Sequence, residues 1–223
     1  MITKNLIFIF SILSSTLITA QQNVIGDMAA LDKALEYQWF RSVFNKDLNN
    51  IEGSPYHNDE FLSAKISNYP DKILARYNSF HDNVEYQKDG KILFLPKEKT
   101  YNVVVFEKTD EKLFLHSNQY YFVLFVGKKL SLAKRTVTKL QEFVKATSGY
   151  EDNKPAKFYN DPDSYFLFMN NEAIALPKSQ KKLAEMFPKN ESEILTYIKQ
   201  NKLNLKKEND KIEIVKFIDQ LQN

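Results

Sequence analysis

The chain has 223 residues, no cysteine, five glycines, 17 Phe, 12 Tyr and a single Trp; it is 43% hydrophobic, 26% charged and carries a formal charge of +3. That makeup is ordinary for a globular protein of one principal domain, neither disordered nor collagenous. Glycines at 26, 53, 90, 127 and 149 lie too far apart for a dinucleotide fingerprint, a phosphate loop or a Gly-x-Ser-x-Gly elbow, and the lack of cysteine excludes disulfides, thiol nucleophiles and iron–sulfur clusters.

Residues 1–20 read as a signal peptide: Lys4 supplies the positive start, the apolar stretch from Leu6 runs to Ile18, and Ala20 offers a small residue for cleavage. The run is shorter and more hydroxylated than a spanning helix requires. Cleavage removes one of the 31 basic residues, Lys4, and leaves a net charge of +2 against 28 acids. A nearly neutral exported chain is a poor nucleic-acid binder. Residues 21–50 form an N-terminal helical segment, with Asp27 as cap and Met28, Leu31, Leu35 and Trp39 on one stripe of a helix reaching about Phe44.

Residues 51–177 alternate with period two between short turns, which predicts an antiparallel meander. Strands are expected at Ile73–Phe80, Val84–Gln87, Ile92–Leu95, Tyr101–Glu107, Lys112–Ser117, Tyr120–Val126, Leu130–Ala133, Tyr165–Met169 and Ala173–Leu176. Asp89-Gly90 and Asn170-Asn171 tolerate the positive φ of tight hairpins. The run Tyr120–Val126 is apolar on both faces and belongs in the sheet's centre. Thr136–Thr147 fits helix and strand alike. Residues 178–223 form a helical tail docked on the sheet. There Leu183, Met186 and Phe187 make a short stripe, Asn190 and Glu193 read as a capping box for Glu191–Gln200, and Asp210 is placed to cap a last helix. The fold class is therefore α+β, mainly β: a curved or partly closed antiparallel sheet with helices at both ends.

Asn50-Ile-Glu-Gly-Ser-Pro-Tyr56 with Phe61, Arg76-Tyr77-Asn78 with Asp82 and Glu85, Pro155-Ala-Lys-Phe158, Tyr165-Phe166-Leu167 and Asn201-Lys-Leu-Asn-Leu-Lys206 together carry a resemblance. From about residue 50 onward the chain resembles a family of uncharacterised exported proteins of Bacteroidota-type bacteria. The resemblance implies export and a β-meander, and brings no catalytic residue.

Candidate chemistry is sparse. The three histidines are His57, His81 and His116; His57 precedes Asp59 and Glu60, His81 precedes Asp82, and no His-Glu-x-x-His occurs. Asp161, Asp163 and Glu172 have the outer spacing of a calcium loop, but Tyr165 and Phe166 stand where a ligand and a glycine belong. Ser54, Ser63, Ser79, Ser117 and Ser164 lie in no nucleophile elbow. No catalytic residue, metal site or cofactor is assigned on these patterns. Contact with a ligand or partner is placed at Tyr56 and His57 after the Gly53-Ser54-Pro55 bend, at Arg76 and His81, and at Tyr120 and Tyr121. Arg76 has an alternative as a cross-strand partner of Asp82 or Glu85. The aromatics Tyr120, Tyr121, Phe122, Phe125, Phe166 and Phe168 have two readings, packed core or cavity lining. Lysines cluster at 127–148, either as a contact for anionic headgroups or as a solvated strand face.

The expected product is a periplasmic or extracellular binding or scaffold protein with no membrane span after cleavage. Its partner would be an envelope protein, a glycan or a lipid. A carrier of an apolar ligand and a secreted hydrolase are the alternatives. A carrier needs an apolar cavity of about 300 Å³ or more, and a hydrolase needs a histidine within reach of a serine or acid.

Overall fold

The computed structural model describes residues 51–147 and 152–222. The expected signal peptide, residues 1–20, and the helix expected between Met28 and Phe44 lie outside the described residues. Twelve strands follow in chain order: β1 Leu62–Ile66, β2 Ile73–Asn78, β3 Asn83–Lys88, β4 Lys91–Phe94, β5 Val103–Phe106, β6 Glu111–His116, β7 Gln119–Val126, β8 Ser131–Arg135, β9 Thr138–Gln141, β10 Lys157–Asn160, β11 Ser164–Met169 and β12 Glu172–Ala175. Helices α1 Gln180–Glu185, α2 Glu191–Gln200 and α3 Glu208–Leu221 close the chain.

Ten strands pair antiparallel in the order β12-β11-β8-β7-β6-β5-β1-β2-β3-β4, and β9 with β10 makes a separate two-stranded sheet. The expected meander is thus two meanders side by side. The chain returns from the β4 edge to lay β5 against β1. The large sheet is not closed and has β4 and β12 as its edges. Turn chemistry sets the registers. Asp89-Gly90, Ser117-Asn118 and Asn170-Asn171 all hold positive φ at both turn positions, the twist that two-residue hairpins demand. Within the ambiguous Thr136–Thr147, Thr138–Gln141 is strand and pairs with Lys157–Asn160.

One face of the sheet, called inner here, carries two cores. The first gathers Ala64, Ala75, Tyr77, Val84, Val104, Phe106, Leu113, Tyr120 and Phe122 from β1 to β7. The second packs Leu130, Leu132 and Leu167 against Leu183, Ile194, Ile198, Ile214, Val215 and Ile218 of the three helices. β7 serves both. A register shift between Val123 and Phe125 bulges the strand, and both Leu124 and Phe125 pack against the helical core.

Asp219 of α3 locks that junction. Its carboxylate accepts the backbone N–H groups of Lys128, Lys129 and Leu130 at 3.0, 2.8 and 2.8 Å. These are the amides of the β7–β8 turn, left over because the turn reverses direction there. A Cβ on Gly127 would overlap the same carboxylate and the Leu130 carbonyl, so the turn needs glycine for close approach. The expected caps behave differently. Asn190 precedes α2 without a side-chain capping bond and its Oδ1 accepts from Gln222 instead. Asp210 lies inside α3 and accepts the N–H of Asn204, which tightens the preceding loop.

Burial alone would raise the Asp219 carboxyl, but the three backbone donors outweigh it and hold it below its ordinary 3.8. Such a group stabilises the fold above its unfolded value, and the contribution is lost as pH falls through the folded one. Asp219→Ala should therefore lower stability by about 3 kcal/mol at neutral pH. Urea titration checks this, and the gap between the two proteins should close below pH 3.8.

Candidate functional site

The positions singled out in the sequence fall into three places. Arg76 and Tyr56 come together on the outer face. Tyr56 bridges to Asn78, which sets it beside Arg76 with the ring 3.5 Å beneath the guanidinium. Arg76 donates from Nε and Nη2 to Glu85 at 2.9 and 2.8 Å, from Nη2 to the Tyr56 hydroxyl at 2.6 Å and from Nη1 to the Asp59 carbonyl at 3.1 Å. Phe61 covers the guanidinium at 4.3 Å. Internal partners occupy the arginine on all sides, and the cross-strand pair explains it.

His57, one residue on, faces the inner side. Its Nε2 lies 2.9 Å from Glu111 and its ring 4.4 Å from Phe122. That hydrogen bond is the main reason the Glu111 carboxyl sits below its ordinary 4.5. A histidine paired with an acid is half of a hydrolytic device. No serine hydroxyl completes it among the described hydrogen bonds. His81 sits in the β2–β3 turn, where burial pushes its imidazole down to about 4. The neighbouring Asp82 is engaged with the Tyr77 hydroxyl, the Tyr120 amide and Lys97. Tyr120 is 1% exposed and its hydroxyl is enclosed without a partner among the described residues. Tyr120 is therefore a core residue. Among the described residues no three His, Asp or Glu side chains gather as a metal would require.

Tyr121 leads to the remaining feature. It alternates away from Tyr120 onto the outer face, where its ring lies 5.2 Å from both Phe166 and Phe168. Phe168 of β11 also meets Phe114 of β6 at 5.8 Å and His116 at 5.2 Å, edge to face. Two strands separate β6 from β11, so on a flat sheet they would stand about 14 Å apart. The ring contacts therefore require the sheet to roll over its outer face here. Within the roll lies a cavity of about 730 Å³. Its floor is made of small residues, Val123, Ser131 and Ala133, and its walls include Phe114, His116, Phe168 and Met169. Lys112, Lys128 and Lys129 line it as well.

The aromatics thus divide: Tyr120 and Phe122 are core, while Tyr121, Phe166 and Phe168 form a ring cluster on the outer face, of which Phe168 lines the cavity. Phe114 and the small floor residues were not singled out, and their signal is the alternation in β6 and β8 that puts them on one face. The lysine cluster also divides. Lys134 pairs with Glu208 at 3.1 Å and Asp163 at 3.7 Å on the inner face, and Lys139 pairs with Asp161, leaving Lys128 and Lys129 at the cavity. Comparisons with protein families, with curated proteins and with solved structures find no match to this chain.

Arg76→Ala should destabilise the fold by about 3–5 kcal/mol, since it leaves a buried carboxylate without its cation; Glu85 is only 3% exposed. The urea midpoint should fall accordingly, and Arg76→Lys should recover part of the loss.

Proposed function

We propose that this is an exported, non-enzymatic binding protein that carries an apolar or amphipathic small molecule in the outer-face cavity. One observation carries the reading: a hollow of about 730 Å³ with aromatic walls and a floor of small side chains, lined by no residue of the first core and reaching the helical core through Leu132 and Met169. That volume falls in the range of sites for drug-sized and lipid-sized molecules. The inner hollow of the same sheet is filled by Tyr77, Phe106, Leu113, Tyr120 and Phe122. The outer one is not filled by its own residues. A face-binding function is preferred to pairing at an edge because both edge strands, Lys91–Phe94 and Glu172–Ala175, are four residues long, and short edges discourage added strands.

Native mass spectrometry of the mature chain, residues 21–223, purified from its own host's envelope, tests the reading. The expected spectrum shows an excess mass that disappears on denaturation, and Phe168→Ala should lower its occupancy. A bare polypeptide mass in every preparation would count against a carrier.

A further inference from the structure

The cavity is lined by three lysines and by no acid: Lys112, Lys128 and Lys129 meet Ser131, Asn170 and Asn171, with His116 on the wall. Several lysines elsewhere in the chain have ion-pair partners. Lys97 pairs with Asp82, Lys134 with Glu208 and Asp163, Lys139 with Asp161, and Lys157 with Glu52. No ion pair is found for the three cavity lysines among the described residues, although the Lys128 charge helps to hold the Asp219 carboxyl down. Arg135, which shares their face by alternation from Ser131 and Ala133, keeps a buried Nε without a hydrogen bond.

We propose that the molecule held here is an amphipathic anion. Its apolar body rests on Phe114, Val123, Phe168 and Met169, and its carboxylate, sulfonate or phosphate group meets Lys112, Lys128 and Lys129. The proposal rests on the reading of the cavity as a ligand site and adds the charge of the ligand. Three ammonium groups around a concave apolar surface focus a positive potential, because the low-dielectric walls direct the field into the opening. A neutral ligand leaves that field uncompensated, and a cation is repelled by it. The turn that carries Lys128 and Lys129 is held by its backbone to Asp219, so both side chains start from a fixed base, and loop ordering adds little to the cost of binding. Asp219 is a positioning residue for them.

Two fluorescent probes with one aromatic body separate the claims: 8-anilinonaphthalene-1-sulfonate, which is anionic, and N-phenyl-1-naphthylamine, which is neutral. The full chain should bind the anionic probe about tenfold more tightly, a preference of roughly one well-placed charge contact. That preference should shrink with added salt. The double substitution Lys128→Gln with Lys129→Gln should remove most of it by lowering anionic-probe affinity, with a far smaller change in neutral-probe affinity. Phe168→Ala should weaken both probes. Equal binding of the two probes, or a preference that survives the double substitution, overturns the anionic ligand and leaves the cavity reading standing. If neither probe binds, or Phe168→Ala changes neither, the cavity reading falls and this proposal with it.

Discussion

The contact between the Asp219 carboxylate and three consecutive amides of the β7–β8 turn holds this architecture together. The helices α1, α2 and α3 are six, ten and fourteen residues long, and helices of that length are marginal without tertiary support. Apolar packing of Ile214, Val215 and Ile218 supplies most of that support but fixes no direction, since hydrophobic contact is non-directional. The carboxylate does, because three N–H vectors converge on one pair of oxygens. It also acts at the strand where the two inner cores meet. A bulge in β7 turns Leu124 and Phe125 together toward the helices while Phe122 stays with the first core.

Twist then explains how one sheet has two hollows. A strongly twisted sheet is a saddle, concave toward one face along one diagonal and toward the other face along the opposite diagonal. The first diagonal brings Tyr77 of β2 within 5.5 Å of Phe122 on β7, although three strands lie between them. The second brings Phe168 of β11 to Phe114 of β6. Side-chain volume decides what becomes of each hollow. Large residues face one another across the inner one and close-pack it. Across the outer one the central positions are Val123, Ser131 and Ala133, too small to meet the rings around them, and space remains.

Much of the strand pattern was legible because turns and alternation are local properties. Asp89-Gly90 and Asn170-Asn171 announce their hairpins, and Glu191–Gln200 appears with the expected bounds. The insertion of β1 between β5 and β2 was not legible, since nothing in the local pattern says which strands meet after a long connection. Single side chains needed the fold for a related reason. Tyr120 and Tyr121 are adjacent and chemically alike, yet alternation sends one into the core and the other to the ring cluster on the outer face. Arg76 had two readings, ligand contact or cross-strand pair, and its pairing with Glu85 under Tyr56 and Phe61 appears only once their segment folds back over β2. The His57–Glu111 pair spans 54 positions and leaves no trace in spacing.

The helix and the cavity draw on different parts of the same short turn. Its backbone amides belong to α3 through Asp219, whereas the side chains of Lys128 and Lys129 belong to the cavity. Exchanging those side chains alters the charge at the cavity without touching a hydrogen bond that holds the helix. Removing the carboxylate does the reverse: it releases the amides first and the lysines only as a consequence. The clustered lysines of the sequence are accordingly not one basic patch. Pairing on the inner face consumes Lys134, and the outer face keeps Lys128 and Lys129 beside Lys112. A nearly neutral net charge therefore conceals a cavity whose lining holds three lysines and no acid, since the local field depends on the few charges nearby, Asp219 behind the turn included, and little on the sum over the chain.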